Sequence, residues 1–192
     1  MISVKGETMS KKGISLSEYF NHKVFKEGSD QQKNGRIGIC EGTLEKLDVE
    51  CEKEIFVLED GKFDNIQCNK VVSVPIGISC KIVHILCFAE WEEFSEKVAF
   101  TYSDGNVIKK RCIIPEYSYY WKYKDTYYNG IWKNSWNAGR ILQPYLRTRR
   151  SDGEEGHLYD IPFDVSEIEG EIECITLPRN EFLHVFAITC ET

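Results

Sequence analysis

Apolar and polar residues alternate over short runs bounded by turn-forming residues, which is the periodicity of half-buried β-strands. In KVAFTY, residues 97–102, Val98, Phe100 and Tyr102 share one side. The Ser-Asp-Gly-Asn that follows tolerates the backbone angles of a tight connection, and VIKKRCII completes an expected hairpin. Further strands are expected in EIFVLED, FDNIQC and VVSVP before it and in ILQPYLRT, HLYDIPF, EIECITL and FLHVFAITC after it. In HLYDIPF, Tyr159, Ile161 and Phe163 alternate properly.

Two runs, IVHILCFA at residues 82–89 and LHVFAIT at residues 183–189, are apolar at both parities. They are expected to be central strands, covered on both faces. Only Leu44, Leu47 and Cys51 fall at helical spacing, which allows one short helical piece at most. Many short strands without a long helix predict an all-β fold, a single-domain antiparallel β-sandwich or jelly roll spanning residues 1–192, with residues 1–12 as a flexible lead-in. The N-terminus has scattered charges in place of a signal peptide, and no apolar run is long enough to span a membrane, so a cytoplasmic setting is expected. The eight cysteines contain no CxxC pair, and Cys87, Cys112, Cys174 and Cys190 lie in apolar runs as small core-filling thiols.

One stretch breaks the alternation. Residues 116–136 carry nine aromatic rings, all Tyr or Trp, although the chain has ten Phe elsewhere. Tyr and Trp suit surfaces that are partly wet and partly in contact. The stretch from 116 to 139 is too long for an ordinary connection, so it is expected to be a functional loop at one end of the sandwich. Charge sharpens the picture: residues 116–150 hold seven cations against two anions, +5 locally, which leaves −12 for the remainder of a chain whose net charge is −7. The aromatic segment is also the basic one.

The succession FDNIQCN, VVSVPIG, KIVHILCFAEWEEF, KVAFTYSDGN and IECITLPRNEFLHVFAITCE resembles the galactose-binding-domain-like jelly-roll modules of bacterial carbohydrate-active proteins. The resemblance covers roughly residues 54–114 and 156–191. It implies a β-sandwich whose end loops bind sugar in some members.

The faces of Tyr and Trp suit the C–H patches of sugar rings, while neighbouring polar groups hydrogen-bond the hydroxyls. The expected ligand-binding set is Tyr119, Trp121, Tyr123, Tyr128, Asn129, Trp132, Asn134, Trp136 and Arg140, within a loop running from Tyr117 to Arg140. The expected partner is a carbohydrate or glycoconjugate. The alternative is a protein-interaction or homo-oligomer assembly module that buries the same loop. Single-stranded nucleic acid ranks below carbohydrate, because the −12 remainder repels a long polyanion.

No catalytic group or metal site is assigned. Glu90, Glu92 and Glu93 around Trp91 are expected to form a solvated strand end, with Glu90 and Glu92 on one side. The four histidines are far apart in sequence without an HxH motif, and His84 and His184 are expected to be core histidines satisfied by backbone or Tyr hydroxyls, able to face one another across the core. No cofactor is expected beyond a structural calcium, for which Ser29, Asp30 and Asn34 offer oxygen ligands.

Overall fold

The computed structural model describes residues 10–25, 45–47, 55–59, 61–117, 144–149 and 155–192; among these it has eleven strands and no helix. In chain order they are β1 Lys11–Ile14, β2 Glu45–Leu47, β3 Ile66–Gln67, β4 Val72–Ser79, β5 Ile82–Ala89, β6 Phe94–Tyr102, β7 Val107–Ile114, β8 Pro144–Arg149, β9 Glu155–Asp164, β10 Glu171–Leu177 and β11 Leu183–Glu191. One sheet runs β1-β11-β5-β9-β8-β2, with β3 also paired to β11, and the second runs β4-β10-β6-β7. The ladders between these strands are antiparallel. The sheets pack face to face as a β-sandwich, with the rings of Phe100 and Phe163 meeting at 5.4 Å.

The two runs that are apolar at both parities lie side by side in the larger sheet. Ile85 and Cys87 face the second sheet, where they meet Val98, Cys112 and Ile114 around a small void of about 10 Å³. His84, Leu86 and Phe88 point the other way. That outer face is covered by chain that forms little sheet of its own: Phe25 packs on Phe186, and Phe56 lies edge-on to His84. Leu16 and Val24 are buried in the same core.

Two bulges keep alternation in step with burial. Val185 pairs with Cys87 but Ala187 with Leu86, so Phe186 is an extra residue on β11. In β10, Ile172 pairs with Tyr102 and Cys174 with Thr101, so Glu173 is extra relative to β6. A bulge reverses the parity of the residues after it. Ile175 and Leu177 consequently join Ile172 in the core, and Cys174 is turned out to a half-buried position, which corrects the expectation that it fills the core.

The hairpin forms where the alternation places it. Gly105 N–H donates to the Tyr102 carbonyl at 2.9 Å, and Gly105 has a φ of 86°, which glycine adopts without steric cost. Two other segments differ from expectation. Residues 55–59, within EIFVLED, join no ladder; they dock through side chains, with Thr189 Oγ1 donating to the Ile55 carbonyl at 2.9 Å and Leu16 N–H to Glu59 Oε2 at 3.0 Å. Leu47, taken with a helical spacing, belongs to β2, whose pairing with β8 overrides the local period.

Cys68, Cys87, Cys112 and Cys190 are buried free thiols, while Cys80 and Cys174 are half-buried. Burial, helped by the charge of Glu96, pushes the thiols of Cys68 and Cys112 up to about 12. Burial likewise raises Cys87. A hydrogen bond between Cys80 and Cys190 lowers the first and raises the second. Because the thiolate is the reactive form, brief alkylation of the native protein should label Cys80 and Cys174 well before Cys68, Cys87 and Cys112. Peptide mass spectrometry would read the order, and equal labelling of all five would contradict this packing.

Candidate functional site

The nine residues expected to bind ligand, Tyr119, Trp121, Tyr123, Tyr128, Asn129, Trp132, Asn134, Trp136 and Arg140, lie outside the described residues, as do Ser29, Asp30 and Asn34. The root of the aromatic segment is described. Ala89 N–H donates to the Pro115 carbonyl at 2.8 Å and Tyr117 N–H donates to the Ala89 carbonyl at 3.0 Å, so residues 115–117 run beside the end of β5. His157 N–H closes the other side, donating to the Tyr117 carbonyl at 2.7 Å.

Tyr117 itself is not a surface ring. It is 4% exposed, lies 6.1 Å from the ring of Phe88, and sits directly on Gly156. A Cβ on Gly156 would fall 2.0 Å from Tyr117 Cδ2. Tyr117, where the expected binding loop begins, therefore caps the core.

Immediately after β5 the chain must leave one sheet for the other, and it turns within Glu90–Glu93. Glu92 N–H donates to the Glu90 carbonyl at 2.8 Å, and Trp91 between them has a φ of 69°. This is a γ-turn of the positive-φ kind, a rare and strained conformation for a bulky residue. The turn projects an indole that is 66% exposed, two residues from the carbonyl that anchors Tyr117.

The same turn separates three carboxylates expected to behave alike. Glu92 and Glu93 are exposed, but Glu90 is 1% exposed, which corrects its reading as part of a solvated strand end. Reversal at Trp91 breaks the alternation that would have set Glu90 beside Glu92. Glu90 Oε1 instead stands 3.1 Å from Nε2 of the fully buried His184, off the line of a full hydrogen bond. His184 Nδ1 donates to Asn65 Oδ1 at 2.8 Å, and Asn65 Nδ2 donates to Asp64 Oδ1 at 2.8 Å and to the His22 carbonyl at 3.2 Å. Asp64 accepts from Val24 and Phe25 N–H, with Lys23 Nζ 3.3 Å away. The polar inlay thus runs from the N-terminal segment, under the sheet, to the foot of the Trp91 turn.

The histidines are distributed otherwise than expected. His22 and His184 are 5.1 Å apart, although distant in sequence. His84 and His184 share the outer face of the larger sheet, near opposite ends of the β5–β11 ladder, and do not confront one another across the core. Their partners are carboxylates and Asn65, where backbone or Tyr hydroxyls were expected. Cys87 faces the other sheet, so no His-Cys constellation forms around it. Among the described residues no group of three or more metal-ligating side chains converges.

His84 Nδ1 lies 2.9 Å from Asp160 Oδ2 and Nε2 lies 3.0 Å from Glu191 Oε2. A carboxylate at each nitrogen favours the imidazolium form. Burial opposes this, but the hydrogen bonds and charges of Asp160 and then Glu191 prevail and raise the pKa. His22 goes the other way: burial, assisted by His184, lowers it to about 3.

No protein-family profile matches the chain, and no curated protein matches it. Neither the γ-turn nor the buried Glu90 has a direct sign in the residue pattern; the only local signal is the Glu-Trp-Glu-Glu interruption after an apolar strand.

Gly156→Ala should destabilise the fold by about 1–3 kcal/mol through overpacking, with much less cost in a Tyr117→Ala background; equal costs in both would place the clash elsewhere. The two histidines should also leave opposite signatures in stability against pH. A depressed folded pKa means that His22 costs stability as pH falls from its ordinary 6.5 toward 3, about 1.4 kcal/mol per unit at most. A raised folded pKa means that the stability from His84 is fully present below 6.5 and is lost as pH climbs through the folded value. Denaturation midpoints across this range should show His22→Gln flattening the acid limb and His84→Gln flattening the other.

Proposed function

We propose that the chain is a non-catalytic binding module for a carbohydrate or glycoconjugate, a jelly-roll sandwich of the galactose-binding-domain-like kind working in the cytoplasm. The observation that carries this reading is the exposed indole of Trp91, held in a strained turn at the point where the Tyr/Trp-rich segment leaves β7. Strain of this kind costs about 1–3 kcal/mol, and its retention at an exposed aromatic is the signature of a site that the rest of the fold keeps in shape. A flat ring presented to solvent, with Glu92 and Glu93 exposed beside it, offers stacking for sugar C–H faces and acceptors for hydroxyls.

Trp91 therefore joins Tyr119, Trp121, Tyr123, Tyr128, Asn129, Trp132, Asn134, Trp136 and Arg140 as the proposed binding set. The buried free thiols support a reducing compartment. A catalytic reading finds little support in Glu90 and His184, since exposures of 1% and 0% leave substrate no access to them. Strand-addition assembly is disfavoured at the outer edges of the smaller sheet: β4 carries Pro75 and a positive-φ Gly77, and β7 carries Lys109, Lys110 and Arg111.

The test is a titration of intrinsic tryptophan fluorescence with a panel of neutral, amino and acidic oligosaccharides, repeated on Trp91→Ala. At least one glycan should shift the spectrum, and the variant should bind it about tenfold more weakly, or roughly 1.4 kcal/mol. No response from the panel at high millimolar concentration would sink the proposal. Loss of a dimer on Trp91→Ala, seen by light scattering, would favour the assembly module.

A further inference from the structure

We propose that the buried Glu90–His184 pair is a positioning latch that imposes the strained γ-turn and thereby presents Trp91; it rests on the reading of Trp91 as a ligand platform only for its use. A bulky residue at positive φ relaxes unless its flanks are fixed. On one side, Ala89 is bonded through both its N–H and its carbonyl to residues 115–117, and Glu90 N–H donates to the Phe182 carbonyl at 2.9 Å. Beyond the turn, Phe94 stacks on Phe182 with ring planes 5° apart. These contacts fix where the chain enters and leaves.

The Glu90 side chain decides the path between those points. In a relaxed strand end it would swing toward solvent with its neighbours. Its carboxylate is instead 3.1 Å from His184 Nε2 in a site where both side chains are essentially inaccessible. His184 is immobilised in turn, stacked on Phe88 at 5.0 Å and donating to Asn65. Withdrawing Glu90 would break its buried contact with His184, a cost that opposes relaxation of the turn. The turn therefore tightens at the next residue, and the indole is driven outward. Glu90 and His184 act through Trp91 and touch no ligand themselves, so both are positioning residues.

A double-mutant cycle tests this without any ligand. Trp91→Gly removes the steric cost of positive φ and should lower the unfolding equilibrium constant of the otherwise native chain. In a Glu90→Leu background the turn is free to relax, and the gain from Trp91→Gly should shrink by more than about twofold in that constant. Glu90→Gln, which keeps the size of the side chain and an oxygen in the place of Glu90 Oε1 beside His184, should restore most of the coupling. Additive effects, or equal coupling in Leu and Gln backgrounds, would overturn the latch. Should Glu90→Leu fail to fold, His184→Phe breaks the pair from the other side and serves in the same cycle.

A second readout uses a chain in which Trp121, Trp132 and Trp136 are replaced by Phe. Time-resolved anisotropy of Trp91 should gain fast depolarisation in the latch variants, and an unchanged decay refutes the proposal. A coupled cycle without any glycan response leaves the latch standing and removes the carbohydrate reading. Weakened glycan binding in Trp91→Ala with an additive cycle does the reverse.

Discussion

Burying both faces of β5 and β11 is the constraint from which the rest of the structure follows. Neither strand carries a side that water can wet, so one layer must cover each face. The smaller sheet supplies the inner cover, where Phe100 and Phe163 meet. The outer cover comes from chain around Leu16, Val24, Phe25 and Phe56, which contributes few ladder hydrogen bonds of its own. That layer is held by side chains reaching to backbone: Asp64 to the N–H groups of Val24 and Phe25, Glu59 to that of Leu16, Thr189 to the Ile55 carbonyl.

The polar inlay beneath this cover links packing to presentation. Burying polar groups is costly unless they are hydrogen-bonded, and Asn65 serves three neighbours, bridging His184, Asp64 and the His22 carbonyl. The inlay ends at Glu90, immediately before the chain leaves the larger sheet. Energy gained inside the fold is thus available at its rim, where it maintains a backbone conformation that an isolated peptide would abandon. Conversely, Tyr117 shows a ring of the aromatic segment drawn inward, because Gly156 leaves a place that only a residue without a side chain could provide.

Alternation was enough to reveal the hairpin of β6 and β7, the long β9 and the two central strands, since each is a continuous run whose burial follows from its apolar pattern. It misjudged Cys174 because Glu173 is an inserted residue, and a bulge leaves no mark on composition. It missed β2 because three residues are too few to display a period. Residues 55–59 are apolar enough to read as a strand, yet they contact the sheet through its face, where no ladder forms. Of the candidate site, the abundance of Tyr and Trp was visible, but the exposed, positive-φ setting of Trp91 was hidden by its charged neighbours. A glutamate between alanine and tryptophan gives no hint that a histidine far along the chain will receive it.

The pairing of β5 with β11 also bears on how the chain emerges from the ribosome. About a hundred residues separate the two strands, so at usual rates of synthesis β5 waits on the order of ten seconds for its neighbour. During that interval IVHILCFA, with His84 as its one ionisable group apart from a thiol, is a strand-forming apolar segment without a partner on that edge. β1 waits longer still, because it too is completed by β11. Closure of the larger sheet is therefore a late event, and the time for which β5 stays without that neighbour is set by the distance along the sequence between the two most apolar strands.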